Sequence, residues 1–506
     1  MKLIAYRSDV TSSEPIVGLN ADDCLQMGVD YNDRVRITSR QGITAAVAIF
    51  ERLVPKGRIA FPPYLMGKCG AEDGEEVEVV YSPMPESIRS IRRKIDGARL
   101  GKEEIDAIVE DILEGNLSDR EIISFVSAFN VNNSDIGEVA CLTRAMADTG
   151  RKVDLGHGPV FDFHSLGGIP GNKVTPIVVS ILAAEGIRIP KLSSRAISSA
   201  CGTSDFVDVF CDVEMDSERL VRAVDECGGV FACGNEDYAP VGKTIIKAER
   251  PLGIDPRPTM MASIMSKKVA LGITHLLTDI PLGNGTKTPD IGKAREYAAA
   301  MRELGQMLGI HVGCAITRAD EPLGRCIGPV LEARECISVL EGRQCDPSVA
   351  DKACSLAGIV LEMAGRKDGR RQAEEVLRSG RAHAKFLQIV KTQNGDPDLR
   401  SEDLVPGAFT KDVHAKRDGY VGHIDNPSIV AIAKAAGAPL DTGAGIELLH
   451  KTGDRVAEGE ALFRIYAENG PKLERAVESA RSRRPMVVTE DPPAETASET
   501  VIEKFP

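Results

Sequence analysis

From Val153 to Thr317 the chain alternates short apolar runs with amphipathic ones: VFDFHS, VTPIVVSILAAEG, SDFVDVF, DSERLVRAVDECGG, VFACGN, MMASIMSKKVALG, THLLTDIPLGNGTK, a helical period over Asp290–Leu308, and IHVGCAIT. Strands that follow one another through helices run parallel, and their sheet carries helices on its faces. Ligands of such sheets lie beyond the carboxyl ends of the strands, where the strand-to-helix loops gather. Three of those loops are rich in small or hydroxyl residues: HSLGG within Phe161–Gly168, SSRAISSACGTSD over Ser193–Asp205, and PLGNGTK ending at Lys287. Gly167 and Gly168 let the backbone approach a ligand without side-chain bulk. Hydroxyls, N–H groups and the Arg195 guanidinium can close on an anion. In TMMASIMSKK, Ser263 and Lys267 stand at i, i+4 and share a helical face.

The flanking regions have other periods. Residues 1–84 read as β, with RVRITS, AAVAIF and EVEVVY set between Gly, Asp and Pro, which predicts a small barrel. Residues 85–150 show apolar positions at i, i+3, i+4 and i+7, a helical lobe with Asp119 and Asp135 as N-caps and Gly115 as a helix stop. The α/β domain with its returning helices is expected over 151–405 and a C-terminal α+β domain over 406–488. TEDPPAETASETVIEKFP, from Thr489 on, reads as a flexible tail. The fold class is multidomain α/β: an N-terminal β-barrel-like domain, a helical lobe with a mostly parallel α/β domain, and a C-terminal α+β domain.

Composition excludes several functions. A net charge of -13 leaves no chain-wide basic footprint for a nucleic-acid polymer, and 4% aromatics without Trp offers little surface for stacking bases. Positive charge for an anionic substrate must be concentrated locally. The 12 cysteines form no CxxC pair; Cys227 and Cys233 come closest, without a second pair at zinc spacing. Free thiols in a reducing cytoplasm are the expectation. No apolar run approaches the ~20 residues of a membrane span, and MKLIAYRSDV lacks a signal-peptide core. His414, His423 and His450 lack metal-ligand spacing, and GKT at Gly242–Thr244 has Asp237 where a P-loop needs glycine. No metal site is expected.

The segment SSRAISSACGTSDFVDVF resembles the signature of the thymidine and pyrimidine-nucleoside phosphorylases, with HSLGG and ASIMSKK where that family has its phosphate loop and its nucleoside-binding Ser and Lys. The likeness is to the archaeal AMP-phosphorylase branch and runs over nearly the whole chain. It implies a double-psi-type barrel at the N-terminus and a homodimer or larger homo-oligomer. The implied reaction is AMP plus inorganic phosphate giving adenine and ribose 1,5-bisphosphate, with CMP and UMP as further candidates. Phosphate is a co-substrate and no cofactor is implied. Gly167, Gly168, Ser193 and Thr203 would frame phosphate and sugar, with His164 and Ser165 alongside. Ser194, Arg195, Ala196, Ile197, Ser198, Ser199, Ser263, Lys267 and Lys287 would complete the AMP and phosphate site. Asp255, eight residues before Ser263, matches the family's proposed proton donor to the leaving base. Which groups hold the 5′-phosphate and which the attacking phosphate stays open.

Two departures stand out. Thymidine phosphorylases have Lys immediately before His-Ser, where this chain has Phe163, so the charge must come from elsewhere, with Lys287 as the candidate. Their pyrimidine-binding Arg aligns with Ala248 or a neighbour, Arg250 being displaced. Each site residue also has a plainer reading: a tight turn for the glycines, a core histidine for His164, a turn aspartate for Asp255. The competing functions are a thymidine or pyrimidine-nucleoside phosphorylase, an anthranilate-type phosphoribosyltransferase of related fold, and a nucleotide sensor without catalysis.

Overall fold

The computed structural model describes residues 1–9, 12, 15–132, 134–196, 199–234, 237–249, 256–493 and 499–505. Asp255, Ile197 and Ser198 lie outside them. The chain forms two compact units, one of residues 1–150 with 239–266 and one of 151–238 with 267–506.

In the first unit, Lys2–Arg7 (β1), Ile16–Asn20 (β2), Arg34–Thr38 (β3), Gly42–Phe50 (β4), Arg58–Phe61 (β5) and Glu76–Tyr81 (β6) close into a barrel in the order β1-β5-β2-β4-β3-β6. Alternation along the strands puts Leu3, Val35, Ile37, Val77 and Val79 inside, all fully buried, and closure leaves no long edge. Two arginines of β3 reach the helical lobe, Arg34 to Glu121 at 3.3 Å and Arg36 to Asn116 at 3.1 Å. The lobe consists of helices Ser87–Ile95, Lys102–Leu113, Asp119–Val131 and Ile136–Asp148. Asp135 caps the last of these as expected, accepting the Glu138 N–H at 2.9 Å. Asp119 does not cap its helix. Ser118 accepts the Glu121 N–H instead, and Asp119 is the first helical residue. Gly115, at φ +71, follows the end of its helix in the left-handed region.

The helix Pro240–Glu249 buries Val241, Ile245 and Ala248 and packs on three lobe helices. Residues 239–266 therefore belong with the lobe, whereas the sequence places them in the α/β region of 151–405. Strand–helix alternation cannot tell a helix that covers a sheet from one that leaves it.

The second unit holds the parallel strands Phe161–Ser165 (β7), Ile189–Ser193 (β8), Gly229–Cys233 (β9), His275–Leu282 (β10) and His311–Arg318 (β11). β7, β10 and β11 form one ladder, and β8 and β9 a separate parallel pair. The helix Thr175–Ala184 is almost entirely apolar and is buried from Thr175 to Ala183, as a central helix must be. Cys326–Ile327 (β12) leaves this core to pair with the C-terminal domain, whose further strands are Phe409–His414 (β13), Gly419–Ile424 (β14), Gly445–Leu448 (β15), Arg455–Val456 (β16), Ala461–Ala467 (β17) and Met486–Thr489 (β18). They form the sheets β12-β15-β17-β13 and β16-β14-β18 beside helices Asn426–Ala436 and Gly470–Arg483.

The end of the chain is not the loose tail expected from Thr489. Val501–Phe505 (β19) pairs antiparallel with β11 at the edge of the main sheet, and Glu503 meets Arg295 at 2.8 Å. The alternating VIEKF pattern supplies a strand, and the open edge of β11 supplies its partner. All 12 cysteines are free thiols. Among the described residues no helix is long and apolar enough to cross a membrane.

Candidate active site

β7, β8 and β10 end at Ser165, Ser193 and Leu282, so the three small-residue loops follow the carboxyl ends of parallel strands. Gly167 and Gly168 have φ +77 and +91, a region that L side chains rarely enter. A β-carbon on Gly168 would lie 2.9 Å from Thr286 Cα and 3.3 Å from the Lys287 backbone nitrogen. Only glycine lets this loop press on PLGNGTK and bring Lys287 beside it. The Ser165 hydroxyl fixes the turn, accepting from Asn172 Nδ2 at 3.0 Å and from the Gly167 N–H at 3.4 Å.

His164 sits in β7 next to a concentration of positive charge. Burial holds its imidazole well below the usual value, and Lys268, Lys191, Lys267 and Lys287 push in the same direction. The ring is therefore neutral at pH 7. The sequence did not single out the floor of this region. Asp162 is fully buried; its carboxylate takes Lys268 at 2.5 Å and Lys191 at 3.7 Å, both lysines almost wholly buried. Burial pushes Lys191 down to about 7 despite Asp162 beside it. The signal was present, since a lysine two residues before Ser193 in an apolar strand is too costly to bury without a partner. Phe163, where thymidine phosphorylases have Lys, lies in the core with Lys191 Nζ 5.5 Å from its ring centroid.

The Ser193 loop is arranged differently from the anion cradle that its composition suggests. The hydroxyl of Ser193 contacts Ser204 Oγ at 3.0 Å and donates to the Ala232 carbonyl at 3.2 Å. The N–H groups of Ala196 and Gly202 donate to Asp205 Oδ2 at 2.7 and 2.9 Å. Arg195 pairs with Asp208 at 2.9 Å and Glu214 at 3.2 Å. Ser199 Oγ donates to the Cys201 carbonyl. Thr203 opens the short helix Thr203–Val207, and Ser194 is exposed. The carboxylates of Asp205, Asp208 and Glu214 thus engage the Ala196 and Gly202 donors and Arg195 and organise the loop.

Lys267 and Ser263 lie one turn apart on the helix Arg257–Ala270, Ser263 in the first unit and Lys267 in the second. A β-carbon on Gly234, just after β9, would lie 3.3 Å from the Ser193 carbonyl and 3.4 Å from Lys267 Nζ, so Lys267 reaches the end of β8. Burial and the neighbouring Lys268 lower its pKa. The structure thus gathers Ser165, Gly167, Gly168 and Lys287 in one cluster and Ser193 with Lys267 in another, His164 feeling the charge of both lysines.

Comparison with known proteins covers the lobe, the α/β region and the C-terminal domain. Residues 157–383 match the family described as glycosyl transferase family, a/b domain; residues 88–150 match its helical bundle domain; and residues 420–486 match the pyrimidine nucleoside phosphorylase C-terminal domain. AMP phosphorylase of Methanococcoides burtonii is 42% identical over 492 residues, 96% of this chain and 97% of that protein. AMP phosphorylase of Thermococcus kodakarensis is 43% identical over 483 residues, 94% and 96% of the two chains. The crystal structure of anthranilate phosphoribosyltransferase from Thermus thermophilus matches at a TM-score of 0.52, covering 60% of this chain and 99% of that one, at 20% identity, a likeness of fold alone. With 42% and 43% overall identity to relatives that cover 96% and 94% of it, the chain belongs to the AMP phosphorylase family.

Proposed function

We propose that this protein cleaves AMP with inorganic phosphate, giving adenine and ribose 1,5-bisphosphate. The observation that carries the reading is the pair of clusters at the carboxyl ends of β7 and β8, where Gly168 presses on the Thr286–Lys287 backbone and Lys267 reaches Ser193. Lys267 and Lys287 both bring positive charge towards His164, while Lys191 and Lys268 beneath them are matched by the buried Asp162. A chain of net charge -13 that concentrates lysines in this way is built for a small, multiply charged anion. Family membership supplies the rest of the substrate.

In the reaction a phosphate oxygen forms a bond to C1′ as the C1′–N9 bond breaks and its electron pair passes to adenine. Protonation of the base at N7 relieves that charge, and Asp255 is the proposed donor. Gly167, Gly168 and Lys287 hold one anionic group against the β7 loop. Ser193, Thr203 and Lys267 serve the sugar and the second anionic group. The reaction uses no cofactor, and a homodimer or larger homo-oligomer is the proposed assembly. CMP and UMP are proposed as further substrates.

The test is release of free base from AMP with and without phosphate, alongside adenosine and thymidine. Phosphate-dependent adenine release from AMP but not adenosine is the expected outcome. Turnover of thymidine or uridine with AMP inert would replace this reading by a pyrimidine-nucleoside phosphorylase. The Asp255→Asn variant should lower kcat for AMP by ~10²–10⁴-fold, the usual worth of a general acid, while AMP still binds.

A further inference from the structure

Two buried lysines far apart in the chain grip one short segment from different sides. Lys173 closes the glycine loop that begins at Gly167. Its side chain is fully buried, and Nζ donates to the Leu323 carbonyl at 2.8 Å and meets Glu335 at 2.7 Å. Lys451 belongs to the C-terminal domain. Its Nζ donates to the carbonyls on either side, Pro322 at 2.5 Å and Gly324 at 3.1 Å, and meets Glu321 at 3.0 Å. Three successive carbonyl oxygens, those of Pro322, Leu323 and Gly324, are thus held by two ammonium groups.

The segment is bound to the glycine loop in other ways as well. The Leu323 N–H donates to the Pro170 carbonyl at 3.0 Å. Gly171 has φ +75, and a β-carbon there would lie 2.6 Å from the Leu323 oxygen and 3.1 Å from Lys173 Nζ. Towards the C-terminal domain, Arg325 donates to the Leu449 carbonyl at 2.7 Å and accepts the Leu448 N–H at its own carbonyl, also at 2.7 Å. Glu335 takes the N–H groups of Arg325 and Cys326 at 2.9 and 3.0 Å, completing a firm seat. Burial works to discharge Lys173, but Glu335 and Glu332 outweigh it and hold the ammonium charged.

We infer that Lys173 and Lys451 are positioning residues that clamp Pro322–Gly324 between the C-terminal domain and the Gly167–Lys173 loop, so that a residue of the C-terminal domain sets the geometry with which that loop receives phosphate. Neither lysine is placed against the substrate. The inference rests on the proposed function for the identity of the anion.

The test is steady-state kinetics with phosphate as the varied substrate, alongside thermal unfolding, for wild type, Lys173→Met, Lys451→Met, Lys451→Arg and the double Met variant. Loss of the clamp lets the loop drift, so Lys451→Met should raise KM for phosphate ~10-fold with little change in kcat, since small misplacements are costly in such sites. Lys451→Arg, which can still donate to two carbonyls, should recover most of the loss. The double variant should be little worse than the poorer single, because both act through one segment. Lys472→Met is the control. It removes a 2.5 Å ion pair to Asp441 in the same domain without touching the segment, and should leave KM unchanged. A Lys451→Met protein whose KM for phosphate rises no more than that of Lys472→Met overturns the clamp. If Lys173→Met does not fold, the two Lys451 variants decide alone. Wild-type protein that releases no base from AMP overturns the proposed function instead. In that case the clamp falls only if calorimetry finds the same affinity for inorganic phosphate in Lys451→Met and wild type.

Discussion

Burial, and secondarily the neighbouring Lys268 with which it shares Asp162, leaves the Lys191 proton loosely held. The unfolded chain keeps that proton up to an ordinary value of 10.5, whereas the folded protein releases it near 7. Between those limits the unfolded state binds more protons, so stability rises with pH. Glu332, pushed up to about 7 by burial, has the opposite effect below that pH. There the folded state binds more protons from the ordinary value of 4.5 upward, and stability falls as pH rises. These two groups place a stability minimum near pH 7. Thermal melts without phosphate should show Tm rising from pH 7 to 9, and Lys191→Met should flatten that limb only. Phosphate bound near Lys191 favours its charged form, so binding at pH 7.5 should take up protons, read as an enthalpy that varies with buffer ionisation. A buffer-independent enthalpy would place Lys191 away from the anion. Gly168 allows a sharper test. A β-carbon 2.9 Å from the Thr286 backbone at φ +91 forces the two loops apart. Gly168→Ala should cost about 1–3 kcal/mol of stability and raise KM for phosphate ~10-fold.

At the scale of elements, the sequence was legible wherever a local rule decided. Barrel strands, lobe helices and the α/β alternation all follow from the apolar period. The capping of Asp119–Val131 does not. Ser118 and Asp119 are both good caps, and only the geometry of the turn shows that Ser118 accepts the Glu121 N–H. β19 was hidden by its Pro- and Ser-rich approach, because a five-residue strand is stable only against a waiting edge. Truncation after residue 493 should therefore expose the edge of β11, break the contacts of Arg295 with Glu503 and Lys504 with Glu362, and lower Tm by roughly 5 °C or more. An unchanged Tm would show that the strand adds nothing to the sheet.

At the scale of the whole molecule, the C-terminal domain is not a separable appendage. β12 lies before residue 406 yet completes its sheet, and Ala200 and Ile327 share a hydrophobic cluster with its core. Residues 1–405 alone should fail to give the cooperative unfolding transition of the full chain and should lack phosphorolysis. A well-folded, active truncation would contradict both the shared core and the Lys451 clamp. The sequence by itself determined the strand–helix alternation and the small-residue loops at the strand ends, because periodicity and short motifs are local. Only the tertiary structure decided which charges meet. Lys451 finds Pro322 across 129 positions and Lys268 finds Asp162 across 106, pairings that no spacing rule encodes. It likewise turned the Ser193 loop's N–H groups and guanidinium onto Asp205, Asp208 and Glu214. A buried charge must be matched by whatever the fold brings beside it, and that neighbour is set by packing rather than by distance along the chain.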